Sequence, residues 1–103
     1  SPIYFFTVSA QLKLFMDRCY ALGGPGGYQF KGKKIAIALT YGDVDPFRSG
    51  AVNAMRTFQD AFAYVEADIA GYVYGTGLEQ GEIAKNKALM KDAFDLGKIL
   101  AGG

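Results

Sequence analysis

One short apolar run constrains this chain more than any other feature. Ile35-Ala36-Ile37-Ala38-Leu39-Thr40 does not alternate apolar with polar residues. That pattern suits a strand covered on both faces, as in a parallel sheet. A second strand is expected at Ile69-Ala70-Gly71-Tyr72-Val73-Tyr74, ended by Gly75. Between the two runs, Ala51, Met55, Phe58, Phe62 and Val65 recur at helical spacing, and Ser49 is the expected cap. Earlier, Val8, Leu12, Phe15, Met16 and Cys19 mark another one-sided helix, with Ser9 at its N-cap position. Leu89, Ala93, Leu96 and Leu100 mark a last helix, stopped by Gly102 and Gly103. The glycine-rich stretch 23–27 is expected to be a flexible loop, 41–47 a loop and 79–82 a turn.

The order is therefore helix, strand, helix, strand, helix. That alternation predicts α/β architecture with parallel strands and right-handed crossovers. No repeat or linker divides residues 1–103, so one domain is expected. Two strands alone leave an edge that must be paired or covered. A preceding half or another chain is expected to supply more strands. The opening Ser1-Pro2-Ile3-Tyr4-Phe5-Phe6 reads as the interior of a longer protein. It has no basic stretch followed by a cleavage site, so the expected location is cytoplasmic.

Composition removes several kinds of chemistry. The 103 residues are 50% hydrophobic and 20% charged, which is globular composition and excludes a disordered chain. Eleven basic and ten acidic residues leave a formal charge of +1, without the one-sided excess of a nucleic-acid or polybasic membrane binder. No apolar run approaches the ~18 residues of a spanning helix. There is no histidine and one cysteine. A Ser–His–Asp triad, a Cys–His pair, a zinc site on this chain alone and an internal disulfide are all excluded.

In open α/β sheets, ligands bind beyond the carboxyl ends of the strands. Three segments qualify: Ser1 to Ser9, Thr40 to Ser49, and Gly75 to Gly81. The first two hold aromatics, hydroxyls and a glycine, with no strong acid–base pair. Such an inventory suits a planar cofactor that carries its own chemistry. On residue type alone, Tyr4, Phe5 and Phe6 also fit a core that closes a strand end. Tyr41 fits ring contact or plain loop packing equally well. Arg18 and Arg48 are candidates for attracting a phosphate. Asp43-Val44-Asp45 resembles a metal-loop fragment, but hard cations take about six oxygens, so a solvated loop is expected. Gly75-Thr76-Gly77-Leu78-Glu79-Gln80-Gly81 is no dinucleotide fingerprint, because its third glycine falls one position late.

Several of these residues together resemble a known family. Ser1-Pro2-Ile3-Tyr4, then Ser9-Ala10-Gln11-Leu12-Lys13, then Asp17-Arg18 resemble the middle of the NADPH-dependent FMN reductase family. That family includes the iron–sulfur flavoproteins and the WrbA-like multimeric flavodoxins. Phe30 with Gly32-Lys33, Tyr72-Val73-Tyr74-Gly75, and Leu96-Gly97-Lys98 agree with its pattern. The resemblance implies a flavodoxin-like three-layer α/β sandwich with a five-stranded parallel sheet in the order 2-1-3-4-5. This chain would be its C-terminal half, with Ser1 at the end of the third strand.

By the same resemblance, the loops after strands 3 and 4 hold the ring of FMN. Carried over by position, the cofactor-binding residues are Ser1, Pro2, Ile3, Tyr4, Phe5, Phe6, Thr7, Val8 and Ser9, with Thr40, Tyr41, Gly42 and Asp43. The implied activity is that of an FMN-dependent NAD(P)H oxidoreductase of the flavin or quinone reductase type. No acid–base side chain is implied. The implied partners are a small-molecule or protein electron acceptor and further copies in a dimer or tetramer. A flavodoxin-type electron carrier and a non-enzymatic oligomerisation module are the alternatives. The family's phosphate loop follows its first strand, which this sequence lacks, so this chain alone is expected to bind FMN weakly or not at all. The cysteines of the iron–sulfur members also lie outside it, and lone Cys19 cannot hold a cluster.

Overall fold

A computed structural model of the chain describes residues 1–102, and Gly103, named above as a helix stop, lies outside them. The chain opens with a two-residue hairpin, β1 (Ile3–Tyr4) and β2 (Thr7–Val8), and continues into α1 (Ala10–Cys19). A second small hairpin follows, β3 (Gly23–Gly24) and β4 (Gly27–Tyr28). Then come β5 (Lys34–Tyr41), a single turn α2 (Pro46–Ser49), α3 (Ala51–Tyr64), β6 (Asp68–Thr76) and α4 (Lys87–Gly102). The expected order of helices and strands holds, with the hairpins added.

β5 and β6 pair in parallel from Lys34↔Asp68 to Tyr41↔Thr76, with one irregularity between Ile35 and Ala36. Ser1–Pro2 lies along the other edge of β5. Pro2 bridges Thr40 in parallel, the Thr40 amide donates to the Ser1 carbonyl at 3.2 Å, and the Ser1 nitrogen donates to Ala38 at 2.7 Å. The order across the sheet is thus Ser1–Pro2, β5, β6. Ser1 stands beside the carboxyl end of β5.

Alternation along β5 separates the layers. Ile37 and Leu39 point to one face, where they pack with Val8, Ala54 and Phe58 under α1 and α3. Leu39 is 2% exposed and Ala54 fully buried. Ala36 and Thr40 point to the other face beside their partners Gly71 and Gly75. There α4 closes on the sheet. A Cβ at Gly71 would lie 2.8 Å from Leu96 Cδ1, and one at Gly75 would lie 2.5 Å from Leu89 Cδ2. Glycine at these positions brings α4 down onto β6. The result is a three-layer sandwich of α1 and α3, the sheet, and α4.

Several local expectations need correction, the stop at Gly102 among them, because α4 runs through that residue. Residues 23–27 form part of a hairpin rather than a free loop, because the Tyr28 ring occupies the space beside Gly23 that any side chain would fill. β6 runs through Gly75 to Thr76 instead of ending at Gly75, since its register with β5 continues. The loop after β5 ends at Asp45, not Phe47. The Asp45 carboxylate accepts from the Phe47 and Arg48 amides at 2.7 and 2.9 Å and, with Pro46 at the first turn, starts α2. Ser49 closes that turn. Its hydroxyl oxygen still accepts from the Ala51 amide at 3.2 Å, while Gly50 occupies the cap position of α3.

Candidate functional site

The parallel strands deliver three segments to one end of the sheet. The first is the β1–β2 hairpin. Ile3 pairs with Val8 and Tyr4 with Thr7, so the turn consists of Phe5 and Phe6 alone. Their φ angles are 46° and 75°. Positive φ at both central residues defines a type I′ turn, which normally takes Asn-Gly. Two phenylalanines there cost about 1–2 kcal/mol each in backbone strain.

Tertiary contacts hold the turn in that state. The Asn53 side-chain amide donates to the Phe6 carbonyl at 3.0 Å. Gly50, at φ 90°, lets its backbone lie against Phe6. A Cβ at Gly50 would sit 2.5 Å from the Phe6 oxygen. The consequence is display: Phe5 is 94% and Phe6 54% exposed, with ring centroids 5.5 Å apart and planes tilted 56°. These rings are not core aromatics. Tyr4 and Thr7 are exposed too. Val8 belongs to the core and Ile3 packs against it, which leaves their backbones to face any ligand.

Behind the hairpin, Ser1 and Ser9 are occupied structurally. The Ser9 amide donates to Ser1 Oγ at 3.1 Å. Ser9 is buried, and its hydroxyl oxygen accepts from the Leu12 amide at 3.3 Å, the expected cap of α1.

The second segment follows β5. Thr40 is half-buried and Tyr41 is buried. Burial pushes the Tyr41 hydroxyl pKa up, and the neighbouring Tyr74 and Asp45 push it further. Tyr41 is therefore neutral at ordinary pH. The Asp43 carboxylate accepts from the Val44 amide at 2.6 Å. With Asp45 capping α2, both carboxylates of the supposed metal-loop fragment are engaged with backbone amides. The third segment ties in here: Thr76 Oγ1 donates to the Asp43 carbonyl at 2.7 Å, and the Gly77 amide to the Tyr41 carbonyl at 2.8 Å.

A cleft of about 430 Å³ opens between the first two segments. Phe5 and Phe6 form one side, and Gly42, Asp43, Val44 and Arg48 the other. Of the thirteen residues carried over by resemblance, the cleft gathers Phe5, Phe6, Gly42 and Asp43. A neighbouring apolar depression behind the hairpin is lined by Tyr4, Thr7 and Val8. Ser1, Pro2, Ile3, Ser9, Thr40 and Tyr41 line neither and act as the frame. The sequence reading placed neither Gly50 nor Asn53 at the site. A lone glycine between two helical stretches is a signal for Gly50, whereas nothing local marks Asn53.

Comparison with known proteins bears on the fold. A family model described as the flavodoxin-like fold matches residues 1–100. The chain is 29% identical over 114 residues to the FMN-dependent NADH:quinone oxidoreductase of Delftia acidovorans, covering 98% of this chain and 52% of that protein. It is 31% identical over 100 residues to YwqN of Bacillus subtilis, named provisionally as an NAD(P)H-dependent FMN-containing oxidoreductase, covering 93% of this chain and 55% of that one. Among solved structures, the Trp repressor binding protein from Bacillus subtilis superposes with a TM-score of 0.71 at 27% identity, over 97% of this chain and 58% of its own. The chain thus spans about half the length of the relatives it matches. Matched along nearly all its residues by sequence and by shape, it belongs to the flavodoxin-like fold family.

Proposed function

We propose that this chain forms part of an FMN-dependent NAD(P)H oxidoreductase of the flavin or quinone reductase type. In this reading the hairpin tip and the loop after β5 hold the ring of FMN. The observation that carries the proposal is the cleft at the carboxyl end of the strands, where two displayed phenylalanine rings face the Gly42–Arg48 side. Its volume of about 430 Å³ lies within the ~300–1,000 Å³ of small-molecule sites. Its wall combines apolar rings with backbone at Gly42, which suits a planar heterocycle with a polar edge. The fit is to the ring. At the start of α1 the Leu12 amide already meets the Ser9 cap.

Bound there, FMN would supply the redox chemistry, taking a hydride from NAD(P)H and passing electrons to an acceptor. The residues of this chain orient the ring and exclude water from one side of it. Tyr41 stays neutral in the frame behind the cleft. The relatives' names support the same reading, each for its own protein.

The test is a titration of the full-length protein with FMN, followed by addition of NAD(P)H and a quinone. Bound yellow flavin, bleached by NAD(P)H and recoloured by the quinone, is the expected result. Flavin that binds but stays oxidised would make the protein an electron carrier instead. Failure to bind flavin would overturn the proposal.

A further inference from the structure

We infer that Asn53 is a positioning residue, which with Gly50 clamps the Phe5–Phe6 turn in the left-handed conformation that displays its rings. The consequence for a flavin rests on the proposed function; the clamp itself does not. A type I′ turn built from two phenylalanines lacks the local preference that Asn-Gly supplies, so an outside force must hold it. Two contacts supply that force, and both come from the start of α3. The Asn53 side-chain amide donates to the Phe6 carbonyl at 3.0 Å. Gly50 faces the Phe6 backbone where no side chain could stand.

Asn53 is itself well placed to hold this aim. Its own amide donates to the Gly50 carbonyl at 2.9 Å, and its carbonyl accepts from Thr57 Oγ1 at 3.0 Å. Its backbone is therefore fixed in the first turn of α3. The side chain is exposed and belongs to no core cluster. Replacing it should alter the turn while sparing the fold. Without the clamp, the turn relaxes toward ordinary negative φ and the two rings leave their places beside the cleft.

The test compares the full-length protein with its Asn53→Asp and Asn53→Ala variants, first ligand-free and then with FMN as the probe. Asn53→Asp keeps the size of the side chain but replaces the donor with an acceptor. By nuclear magnetic resonance, Phe5 and Phe6 of the parent should give strong intraresidue amide–Hα cross-peaks, a mark of positive φ. Both variants should lose them while α3 and β5 keep their dispersion. The affinity for FMN should fall about fivefold, the value of one net hydrogen bond. The visible band of bound flavin should shift as its ring neighbours move. Gly50→Ala should act in the same direction. Unchanged Phe5 and Phe6 cross-peaks in Asn53→Asp would overturn the clamp, whatever FMN does. Lost cross-peaks in the variants, with no FMN bound even by the parent, would uphold the clamp and remove the flavin reading of the tip.

Discussion

Asn53 and Phe6 stand 47 residues apart in sequence, yet the side chain of one donates to the carbonyl of the other at 3.0 Å. This bond joins the opening hairpin to α3 at the carboxyl end of the sheet. It explains how a turn with an unfavourable sequence keeps its shape.

Strain at the tip can be relieved by sequence. The double substitution Phe5→Asn and Phe6→Gly supplies the residues a type I′ turn prefers. Less the unfolded-state freedom that glycine adds, the relief should stabilise the fold by about 1 kcal/mol and raise the melting midpoint by roughly 4–8 °C for a chain of this size. The affinity for FMN should fall in the same protein, because both rings are gone. Paired thermal melts and FMN titrations check both halves, and an unchanged midpoint would deny the strain.

Removal of the α1 cap has a separate cost. Ser9 is buried and accepts from Leu12. Ser9→Ala should destabilise by about 1 kcal/mol, within the usual ~0.5–2 kcal/mol for a lost cap. Urea denaturation measures it.

The core tolerates less. Phe58 is 3% exposed and packs with Val8, Ile37, Leu39 and Ala54. Phe58→Ala should cost about 3–5 kcal/mol through lost burial and the cavity left behind. A loss below ~1 kcal/mol by chemical denaturation would mean that the two helices pack on the sheet differently.

The fourth prediction concerns alkaline pH. The Tyr28 hydroxyl is pushed up to about 12, first by the adjacent Tyr64 hydroxyl, whose ring meets it edge-on at 5.5 Å, then by burial and by the charges that Tyr64 and Tyr20 would carry. In the unfolded chain a tyrosine ionises near ~10. Between these values the unfolded state releases the proton more readily. Stability is therefore full below pH ~10 and declines as pH rises toward 12. Tyr64→Phe should bring the Tyr28 midpoint back toward ~10 in an ultraviolet titration. An unmoved midpoint would show that Tyr64 is not the cause.

Much of this architecture is legible in local pattern. The unalternating run at 35–40 reads as a covered parallel strand, and α1 and α3 do cover the Ile37–Leu39 face, while α4 lines the other only in part and leaves Ala38 exposed. Ser9 reads as a cap because a hydroxyl before an apolar period has that local use. The parts that escape local reading depend on distant partners. Residues 23–27 look like a loose loop until the Tyr28 ring settles on Gly23. Nothing local marks Gly71 as the place where Leu96 of the last helix closes on the strand. Phe5 and Phe6 carry no turn signal at all, and only Asn53 and Gly50 make their conformation tenable. Asp45-Pro46 is the exception, a cap and a first-turn proline that mark a helix start by local pattern inside a stretch that reads as a loop.

β5 has a neighbour on each edge at its carboxyl end, Ser1–Pro2 on one and β6 on the other. Among the described residues, β6 pairs with β5 alone. In heavy water, deuterium should therefore enter the outward-looking amides of β6 well before it reaches those near Thr40. Such a sheet loosens from its rim inward, and the ledge from which the Gly42 side of the cleft departs is among the last places to let go.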